Sequence, residues 1–262
     1  MVKRQEEKDQ VVKIRKEKFA MKNGSGTLYI VSTPIGNLQD ITFRAINVLK
    51  SVNVIAAEDT RRTKILLHAY GIKADIISYH DFNKERQGEK ILHYLLSGKS
   101  VALVSDAGTP GVSDPGYYVI NLAINHNLLM IPVPGVSAII TALSVSGLPS
   151  DRFCFEGFLP KKVNSRRKFI QTLKDEDRTL IFYESPYRIV ETLKDFLDLC
   201  GERWVVVARE LTKMYEEIIR GPLSEVLKIL SEKKIKGEFT VLISSSRYSE
   251  KVLPLRKDST MV

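Results

Sequence analysis

Short apolar runs alternate with helical repeats along most of the chain, beginning near Thr27. Each run is rich in β-branched residues and is bounded by turn residues, which is typical of buried strands. Between the runs, apolar residues recur at the three- and four-residue spacing of an amphipathic helix. The alternation predicts strands joined by crossover helices. The first-half strands are expected at 28–32, 53–57, 75–79, 100–105 and 128–133.

Polar caps and glycines predict where the first-half helices begin and end. Asp40 is expected to cap a helix over 41–49, and Gly71 to end a helix over 60–70. A polar helix is expected over 84–96. Asp114-Pro115 reads as a cap followed by a first turn, with the helix running to Asn125. A last helix is expected over 136–146.

The second half repeats the alternation less strictly, which predicts a mixed sheet covered by helices. Ser185-Pro186 is expected to start one helix and Gly221-Pro222 another. Strands are expected at 153–158, 179–183, 204–209, 215–220 and 239–244. The predicted fold class is α/β with two domains, an N-terminal mostly parallel sheet and a C-terminal mixed sheet, each flanked by helices. The predicted divisions are a charged extension 1–24, domains 25–147 and 148–246 with a hinge near 147–150, and a polar tail 247–262.

Composition narrows the classes of protein. The 262 residues carry 40 Lys and Arg against 31 Asp and Glu, a net charge of +9, which favours a polyanionic partner or else a merely solvated basic surface. Two cysteines and four scattered histidines form no disulfide framework and no metal-ligand spacing, so no metal is expected. No secretory signal and no apolar run of membrane-spanning length is present, so we expect a cytoplasmic protein without a membrane partner.

Three glycine- or proline-rich turns follow predicted strands, at 34–37, 105–116 and 134–138. In open α/β sheets, ligands bind beyond the carboxyl ends of the strands. Asp106 directly follows its strand and is suited to bind a ribose hydroxyl or a ligand amine. Any one turn alone is better interpreted as an ordinary strand-to-helix connection, but three in one half favour a ligand site. The phosphate-binding fingerprints GxGxxG and GxxxxGK[ST] are absent, as is a nucleophile elbow.

Several long motifs are more specific than these turns. They read LYIVSTPIGNLQDIT (28–42), IAAEDTRRT (55–63), ALVSDAGTPGVSDPGY (102–117), GLPSDRFCFEGFLP (147–160), LIFYESPYR (180–188), ARELTK (208–213) and GEFTVLI (237–243). Together they resemble, in order from 28 to 243, the ribosomal RNA small subunit methyltransferase I family of the tetrapyrrole methylase superfamily. One departure is Arg62, where we expect relatives often to carry histidine.

The resemblance implies a two-domain methyltransferase that binds S-adenosylmethionine in the cleft between domains. The implied reaction is 2′-O-methylation of a cytidine in the decoding centre of 16S rRNA. The implied partners are small-subunit rRNA or the 30S particle and a second copy in a homodimer. The implied donor contacts are Pro34, Ser105, Asp106, Ala107, Gly108, Thr109, Ser137 and Ala138, with Tyr183, Leu211, Glu238, Phe239 and Thr240 from the second domain.

Methyl transfer to a hydroxyl also needs a group that accepts the proton. The candidates at predicted strand ends are Glu58, Asp59, Glu184 and Lys213, the last beside Glu210. Asp59 is equally suited to cap a helix, and Glu184 to pair with Arg188 one turn later.

Basic residues near these strand ends are assigned to RNA phosphates. They are Arg61, Arg62, Lys64, Arg188 and Arg209. A second basic run comprises Lys161, Lys162, Arg166, Arg167 and Lys168, and it reads equally as a solvated helix face. Tyr187 is a candidate for stacking on a base, or else a partly buried tyrosine.

Two rival functions stay open. One is a C-methyltransferase acting on a tetrapyrrole, whose carboxylates would also suit a basic protein; the EDTR and FYESPYR motifs favour RNA instead. The other is a non-catalytic RNA-binding assembly factor that has lost its donor site. The intact SDAGTP loop and GEFT segment count against it.

Overall fold

A computed structural model describes residues 24–247, which fall into two compact units with the boundary between Ser137 and Ala138. The boundary precedes the predicted hinge at 147–150 because a helix over Ala138–Ser144 packs against a strand of the second sheet. The predicted extension, apart from Gly24, and the predicted tail, apart from Arg247, lie outside the described residues. Within the described part of the chain, no helix is long and apolar enough to cross a membrane.

The first unit is a five-stranded parallel sheet in the order β3-β2-β4-β1-β5. Each strand is followed by a helix, as the alternation of patterns predicts, and α4 follows β4 after a long loop. The strands are β1 Thr27–Val31, β2 Val54–Ala57, β3 Asp75–Ser78, β4 Val101–Val104 and β5 Leu129–Val133. The helices are α1 Phe43–Ser51, α2 Thr60–Ala69, α3 Lys84–Leu96 and α4 Tyr117–Asn125.

Strand β4 is buried on both faces, and its side chains supply two cores. Val101 and Leu103 join the cluster on one side of the sheet, and Ala102 and Val104 join the cluster on the other. A continuous apolar run is what a central parallel strand covered by helices requires. Pro132 lies in β5 at the edge of the sheet, where its missing N–H costs no ladder hydrogen bond. The parallel arrangement brings the ends of all five strands to one edge.

Two predicted helix starts were wrong. Thr42, not Asp40, caps α1, because its hydroxyl accepts the Ala45 N–H at 3.1 Å; Asp40 instead ends a short 3-10 turn. Helix α4 begins at Tyr117 after Gly116 and has no side-chain cap. Asp114 therefore belongs to the preceding loop rather than to the helix.

The second unit is a mixed five-stranded sheet in the order β6-β7-β10-β8-β9, with only β6 and β7 parallel to each other. Alternate side chains of β7, β8 and β10 pack with α6, α7 and α8 in one apolar cluster. The predicted mixed sheet is confirmed. The strands are β6 Phe153–Phe158, β7 Thr179–Glu184, β8 Trp204–Arg209, β9 Glu217–Pro222 and β10 Phe239–Ile243. The helices are α5 Ala138–Ser144, α6 Val163–Thr172, α7 Ile189–Cys200 and α8 Leu223–Ser231.

Candidate functional site

The turn after β1 is locked to the loop after β4. Thr33 and Gly108 exchange both backbone hydrogen bonds, with N···O distances of 2.8 and 3.0 Å. The Thr33 hydroxyl donates to the Ser105 carbonyl at 3.0 Å, and the Ser32 and Thr109 hydroxyl oxygens lie 2.8 Å apart. Because neighbouring parallel strands end at the same edge, two segments distant in the sequence form one continuous surface.

Glycines allow the three turns to approach each other. Gly108 has φ +87°, a left-handed conformation that side chains disfavour. A Cβ on Gly135 would lie 2.8 Å from the Ser32 Cβ, so the turn after β5 also packs directly on the end of β1. All three turns flagged in the sequence therefore meet at one edge of the first sheet.

The loop from Ser105 to Gly116 folds back on itself. A Cβ on Gly116 would lie 2.9 Å from the Gly111 nitrogen, and Ser113 adopts φ +61°. Left-handed non-glycine residues cost free energy and cluster at ligand sites. The fold-back turns Asp114 inwards, and this is the site residue that the sequence reading missed. Its DPG context resembles a helix start, and the signal in the sequence that it belongs to a site is only that it lies in a glycine-rich loop.

Asp106 joins the end of β4 to the end of β2. Its Oδ1 accepts the Asp59 N–H at 2.9 Å, and its Oδ2 lies 3.5 Å from Arg62 Nη1. The carboxylate therefore holds the neighbouring turn in place, and its charge also acts on Glu58. Arg62, which we predicted to bind RNA, is oriented towards this carboxylate.

Glu58, Asp106 and Asp114 form a cluster of three carboxyl groups at this edge, hereafter the acid cluster. Burial, followed by repulsion from Asp106, raises the pKa of Glu58. Burial raises the pKa of Asp114 to about 7, and the charges of Glu58 and Asp106 add to the shift. The Ser105 hydroxyl opposes part of that shift, yet its Oγ is buried without a hydrogen bond of normal geometry to any described residue. The cluster therefore gathers three carboxyl groups next to a buried hydroxyl.

The acid cluster does not resemble a metal centre. Within residues 24–247, no group of three or more His, Cys, Asp or Glu side chains is arranged to hold a metal ion. A cationic or hydroxyl-bearing organic ligand suits the carboxylates better, because it relieves their mutual repulsion and satisfies the Ser105 oxygen.

Asp59 is occupied by the helix that it begins. Its carboxylate accepts the Arg61 N–H at 2.8 Å and pairs with Arg61 Nη2 at 2.7 Å. Hydrogen bonds from the Arg61 side chain hold the pKa of Asp59 well below its usual range. A strongly acidic, capping carboxylate is a poor proton acceptor, so the geometry favours the capping role and leaves Glu58 as the better candidate.

Glu184 is equally occupied in the second unit. Its buried carboxylate accepts the Thr192 hydroxyl at 2.8 Å and the Ser185 N–H at 2.7 Å, and it pairs with Arg188 at 2.6 Å. Arg188 also donates to the Leu159 carbonyl at 3.1 Å. This network fastens α7 to the end of β7, which favours a structural role for both residues.

Lys213 is held between two carboxylates. Its Nζ lies 2.9 Å from Glu210 Oε1 and 2.9 Å from Glu238 Oε2. Burial acts against the charged form, but the two hydrogen bonds outweigh it and raise the pKa of Lys213. A lysine that retains its proton is not suited to accept another. Its position instead ties the loop after β8 to the start of β10.

The remaining candidate donor residues of the second unit lie around the same strand ends. Tyr183 faces Phe155 and Phe158 with ring centroids 4.9 and 5.5 Å apart. Thr240 is the cross-strand partner of Tyr183 and is buried, as are Leu211 and Phe239. The Phe239 side chain packs in the apolar core.

Part of the second basic run stabilises the fold instead of forming an open patch. Arg166 is 2% exposed and donates through Nε to Asp195 at 2.8 Å, and Arg167 pairs with the same carboxylate. These bonds join α6 to α7. Lys161, Lys162 and Lys168 stay exposed, and Tyr187 is also exposed rather than partly buried.

Comparison with known proteins gives the family. The family model of Tetrapyrrole (Corrin/Porphyrin) Methylases matches residues 27–227. The ribosomal RNA small subunit methyltransferase I of Halalkalibacterium halodurans is 48% identical over 238 residues, which cover 91% of this chain and 82% of that protein. The protein of the same name from Bacillus subtilis is 48% identical over 236 residues, or 90% and 81%.

A solved structure shares the fold. The uroporphyrin-III C-methyltransferase of Thermus thermophilus, in a complex with S-adenosylhomocysteine, superimposes with a TM-score of 0.57 at 20% identity, covering 83% of this chain and 97% of that one. The predicted fold class is thereby confirmed.

Proposed function

Because this chain belongs to the tetrapyrrole methylase family, and within it to the ribosomal RNA small subunit methyltransferase I family, we propose that it methylates the 2′-hydroxyl of a cytidine in the decoding centre of 16S rRNA, with S-adenosylmethionine as the methyl donor. The observation that carries the proposal is the 48% identity to proteins of that name over 91% of the chain. The proposed enzyme acts in the cytoplasm as a homodimer on small-subunit rRNA or the 30S particle.

The described residues fit the proposed donor. S-adenosylmethionine is cationic at its sulfonium and amino groups, bears ribose hydroxyls, and supplies an electrophilic methyl group when bound. The acid cluster offers three carboxyl groups, of which only Asp106 is paired with a cation among the described residues, beside the buried Ser105 hydroxyl. Gly108, with its left-handed backbone, leaves only Ile35 and Val136 atoms near the space a side chain would fill.

We retain the predicted donor contacts on this basis. In the first unit they lie on the turns that meet at one edge of the sheet, and in the second unit they lie around the ends of β7, β8 and β10. The first-unit contacts are Pro34, 105–109 and Ser137, and Ala138 follows directly as the first residue of α5. The second-unit contacts are Tyr183, Leu211, Glu238 and Thr240, and the predicted contact Phe239 is left out because its side chain packs in the apolar core.

The proton of the attacking hydroxyl passes to a carboxylate of the acid cluster in this proposal. Glu58 and Asp114 have raised pKa values and lack a cationic partner within the described residues. A base whose pKa lies near the working pH combines a useful ionised fraction with basicity. Asp59, Glu184 and Lys213, which were also predicted, are instead engaged with Arg61, Arg188 and two glutamates respectively.

RNA phosphates are assigned first to the cations whose side chains are exposed. Arg61 and Lys64 project from α2 next to the acid cluster, and Arg61 is the partner of Asp59. Arg62, Arg188 and Arg209 have carboxylate partners at 3.5, 2.6 and 3.3 Å, so their contribution requires exchange of those partners. Positively charged surface supplies affinity and salt dependence rather than base recognition.

The test is mass mapping of 16S rRNA from a strain that lacks the gene, rescued with this chain. We expect the 2′-O-methyl group on one decoding-centre cytidine to disappear and return with the gene. Unchanged rRNA would overturn the assigned substrate, and calorimetry with no S-adenosylmethionine binding would favour a non-catalytic assembly factor. Methylation of a tetrapyrrole in place of rRNA would favour the other rival.

A further inference from the structure

A cavity of about 560 Å³ opens in the second unit, beside the loop of residues 210–216 that connects β8 to β9. Met214 and Tyr215 of this loop, which form its apolar wall, line the cavity together with Lys233, Lys234 and Phe239. This volume falls within the usual range for sites of small ligands. We call it the β8–β9 pocket.

The β8–β9 pocket lies across the sheet from the proposed donor contacts. Phe239 points into the apolar cluster shared with the helices, and side chains alternate along a strand. Thr240 and its cross-strand partner Tyr183 therefore face the other side. The pocket is a separate site from the one assigned to the donor, although Leu211 and Tyr215 belong to one short loop.

The apolar wall is unusually exposed. Met214 is 89% exposed and Tyr215 is 69% exposed, and they are adjacent in the chain. An aromatic ring next to a flexible thioether offers a flat apolar surface, which suits stacking on a nucleobase. Isolated exposed apolar residues are ordinary, but here two of them line a cavity that also contains cations.

Three cations converge on the pocket. Arg209 lines the pocket, and its Nη1 donates to the Lys236 carbonyl at 3.3 Å and its Nη2 to the Tyr215 carbonyl at 3.4 Å. Lys233 and Arg209 share the Glu217 carboxylate, while Lys234 forms no ion pair with any described residue. The other wall carboxylate, Glu216, accepts the Thr212 N–H. Positive charge is therefore in excess.

The loop that carries the apolar wall is held in an unfavourable conformation. Glu210 and Thr212 adopt φ values of +50° and +66°. The Glu210 carboxylate fastens the loop by accepting the Glu238 N–H at 2.9 Å and the Lys213 ammonium at 2.9 Å. Strain that is held by surrounding bonds presents Met214 and Tyr215 in place before a ligand arrives, which lowers the entropic cost of binding.

We propose that the β8–β9 pocket binds one unstacked nucleotide of single-stranded RNA, with the base against Tyr215 and Met214 and the adjoining phosphates at Lys233 and Lys234. This inference rests on the proposed function, because it assigns a second contact to the same RNA substrate. A free nucleotide shares the chemistry of an RNA nucleotide, and the experiment separates the two.

The test measures binding of a fluorescein-labelled 12-nucleotide polyadenylate RNA to the full chain by anisotropy, between 50 and 200 mM KCl. Lys233→Gln with Lys234→Gln should raise the Kd about tenfold at the lowest salt and reduce the slope of log K against log[salt] by about 1.4, since two phosphate contacts are lost. Tyr215→Ala should raise the Kd about tenfold with the slope unchanged, and Tyr215→Phe should restore it, because the ring is retained.

Matched controls and a second ligand make the outcomes distinct. Lys228→Gln on α8 and Phe43→Ala on α1 remove an exposed cation and an exposed aromatic outside the pocket, and both should bind RNA like wild type. Wild-type RNA affinity in the Lys233/Lys234 and Tyr215 variants would overturn the inference. So would adenosine monophosphate binding that these variants abolish without any change in RNA affinity.

Failure of the pocket is distinguishable from failure of the proposed function. Calorimetry with S-adenosylmethionine on the same samples should give the wild-type Kd in every pocket variant. If the donor binds and rRNA is methylated but the variants bind RNA normally, only the pocket assignment is wrong. If wild type binds no donor, the proposed function fails irrespective of the pocket.

Discussion

The loop after β4 and the loop after β8 both follow an internal buried strand, but their carboxylates differ in whether a cation is paired with them. After β4, Glu58 and Asp114 have raised pKa values, first because they are partly buried and then because they lie near other carboxylates. After β8, Glu210 is also partly buried, but the Lys213 ammonium lowers its pKa.

Both loops contain left-handed non-glycine residues, Ser113 in the first and Glu210 and Thr212 in the second. The backbones of both loops are therefore strained, and the loops differ in whether their partly buried carboxylates are paired with a cation. The comparison teaches that an uncompensated carboxylate marks the place for a cationic ligand or a proton transfer, while a compensated one fastens a loop. Four variants test this distinction.

The largest effect is expected at the acid cluster. Asp106→Ala should raise the Kd for S-adenosylmethionine at least about a hundredfold, because it removes a half-buried negative charge and leaves the Asp59 N–H without its acceptor. Calorimetry measures the affinity, and a thermal melt within about 5 °C of wild type establishes folding. Asp151→Ala, at an exposed position, is the control. Wild-type affinity in Asp106→Ala would remove Asp106 from the donor site.

The loop after β8 should be destabilised by a side chain added at Gly237, because that side chain would clash with Glu210. A Cβ on Gly237 would lie 2.5 Å from Glu210 Cγ, in a backbone with φ +98°. Gly237→Ala should lower the free energy of unfolding by about 2–3 kcal/mol in urea titrations. Gly71→Ala is the matched control: its φ is +60° but nothing lies within 4 Å, so only the strain of about 1 kcal/mol applies. Equal losses in both variants would show that Glu210 does not hold the loop.

The pH dependence of stability should change at Asp114. Its pKa is about 7 in the folded protein, above the ordinary value of 3.8, so its contribution to stability is fully present below about pH 4 and is lost as pH rises through 7. Asp114→Asn should therefore stabilise the protein by at most about 2 kcal/mol at pH 8, after allowance for solvent screening. Urea titrations at pH 5 and pH 8 measure this. A stabilisation that is no larger at pH 8 than at pH 5 would contradict the raised pKa.

The smallest effect is expected when the cation of the loop after β8 is removed, so that its carboxylates are left unpaired. Lys213→Met leaves Glu210 and Glu238 facing each other without their shared cation. We expect a loss of about 1 kcal/mol at pH 7 that shrinks at pH 4, and a Glu210 pKa that moves upwards in carbon-detected NMR titration. Lys84→Met, which breaks an exposed pair with Asp81, should change stability by less than about 0.5 kcal/mol. An unmoved Glu210 pKa would show that Lys213 is not what compensates it.

Periodicity predicted most elements because local rules decide them. The polar helix α3 and the strands β6 and β8 have the predicted bounds, and Asp59 caps α2 as its position suggested. The errors arose where several residues satisfy the same local rule. Asp40 and Thr42 are both residues that commonly cap helices, and in the structure the Thr42 hydroxyl accepts the Ala45 N–H. Asp114-Pro115 satisfies a helix-start rule, but the fold-back of its loop takes precedence.

By itself, the sequence determined the α/β class, the turns at 34–37, 105–116 and 134–138 and, through long motifs, the family, because these depend on short stretches of chain. Only the tertiary structure decided which charged residues are already partnered. Glu184 and Arg166 look like candidates for chemistry or RNA binding in the sequence, and distant residues occupy both: Thr192 and Asp195 on α7. Asp114 looked like a helix cap and lies instead in the acid cluster. A pKa depends on burial and on charges brought near by the fold, and neither is written in the local sequence.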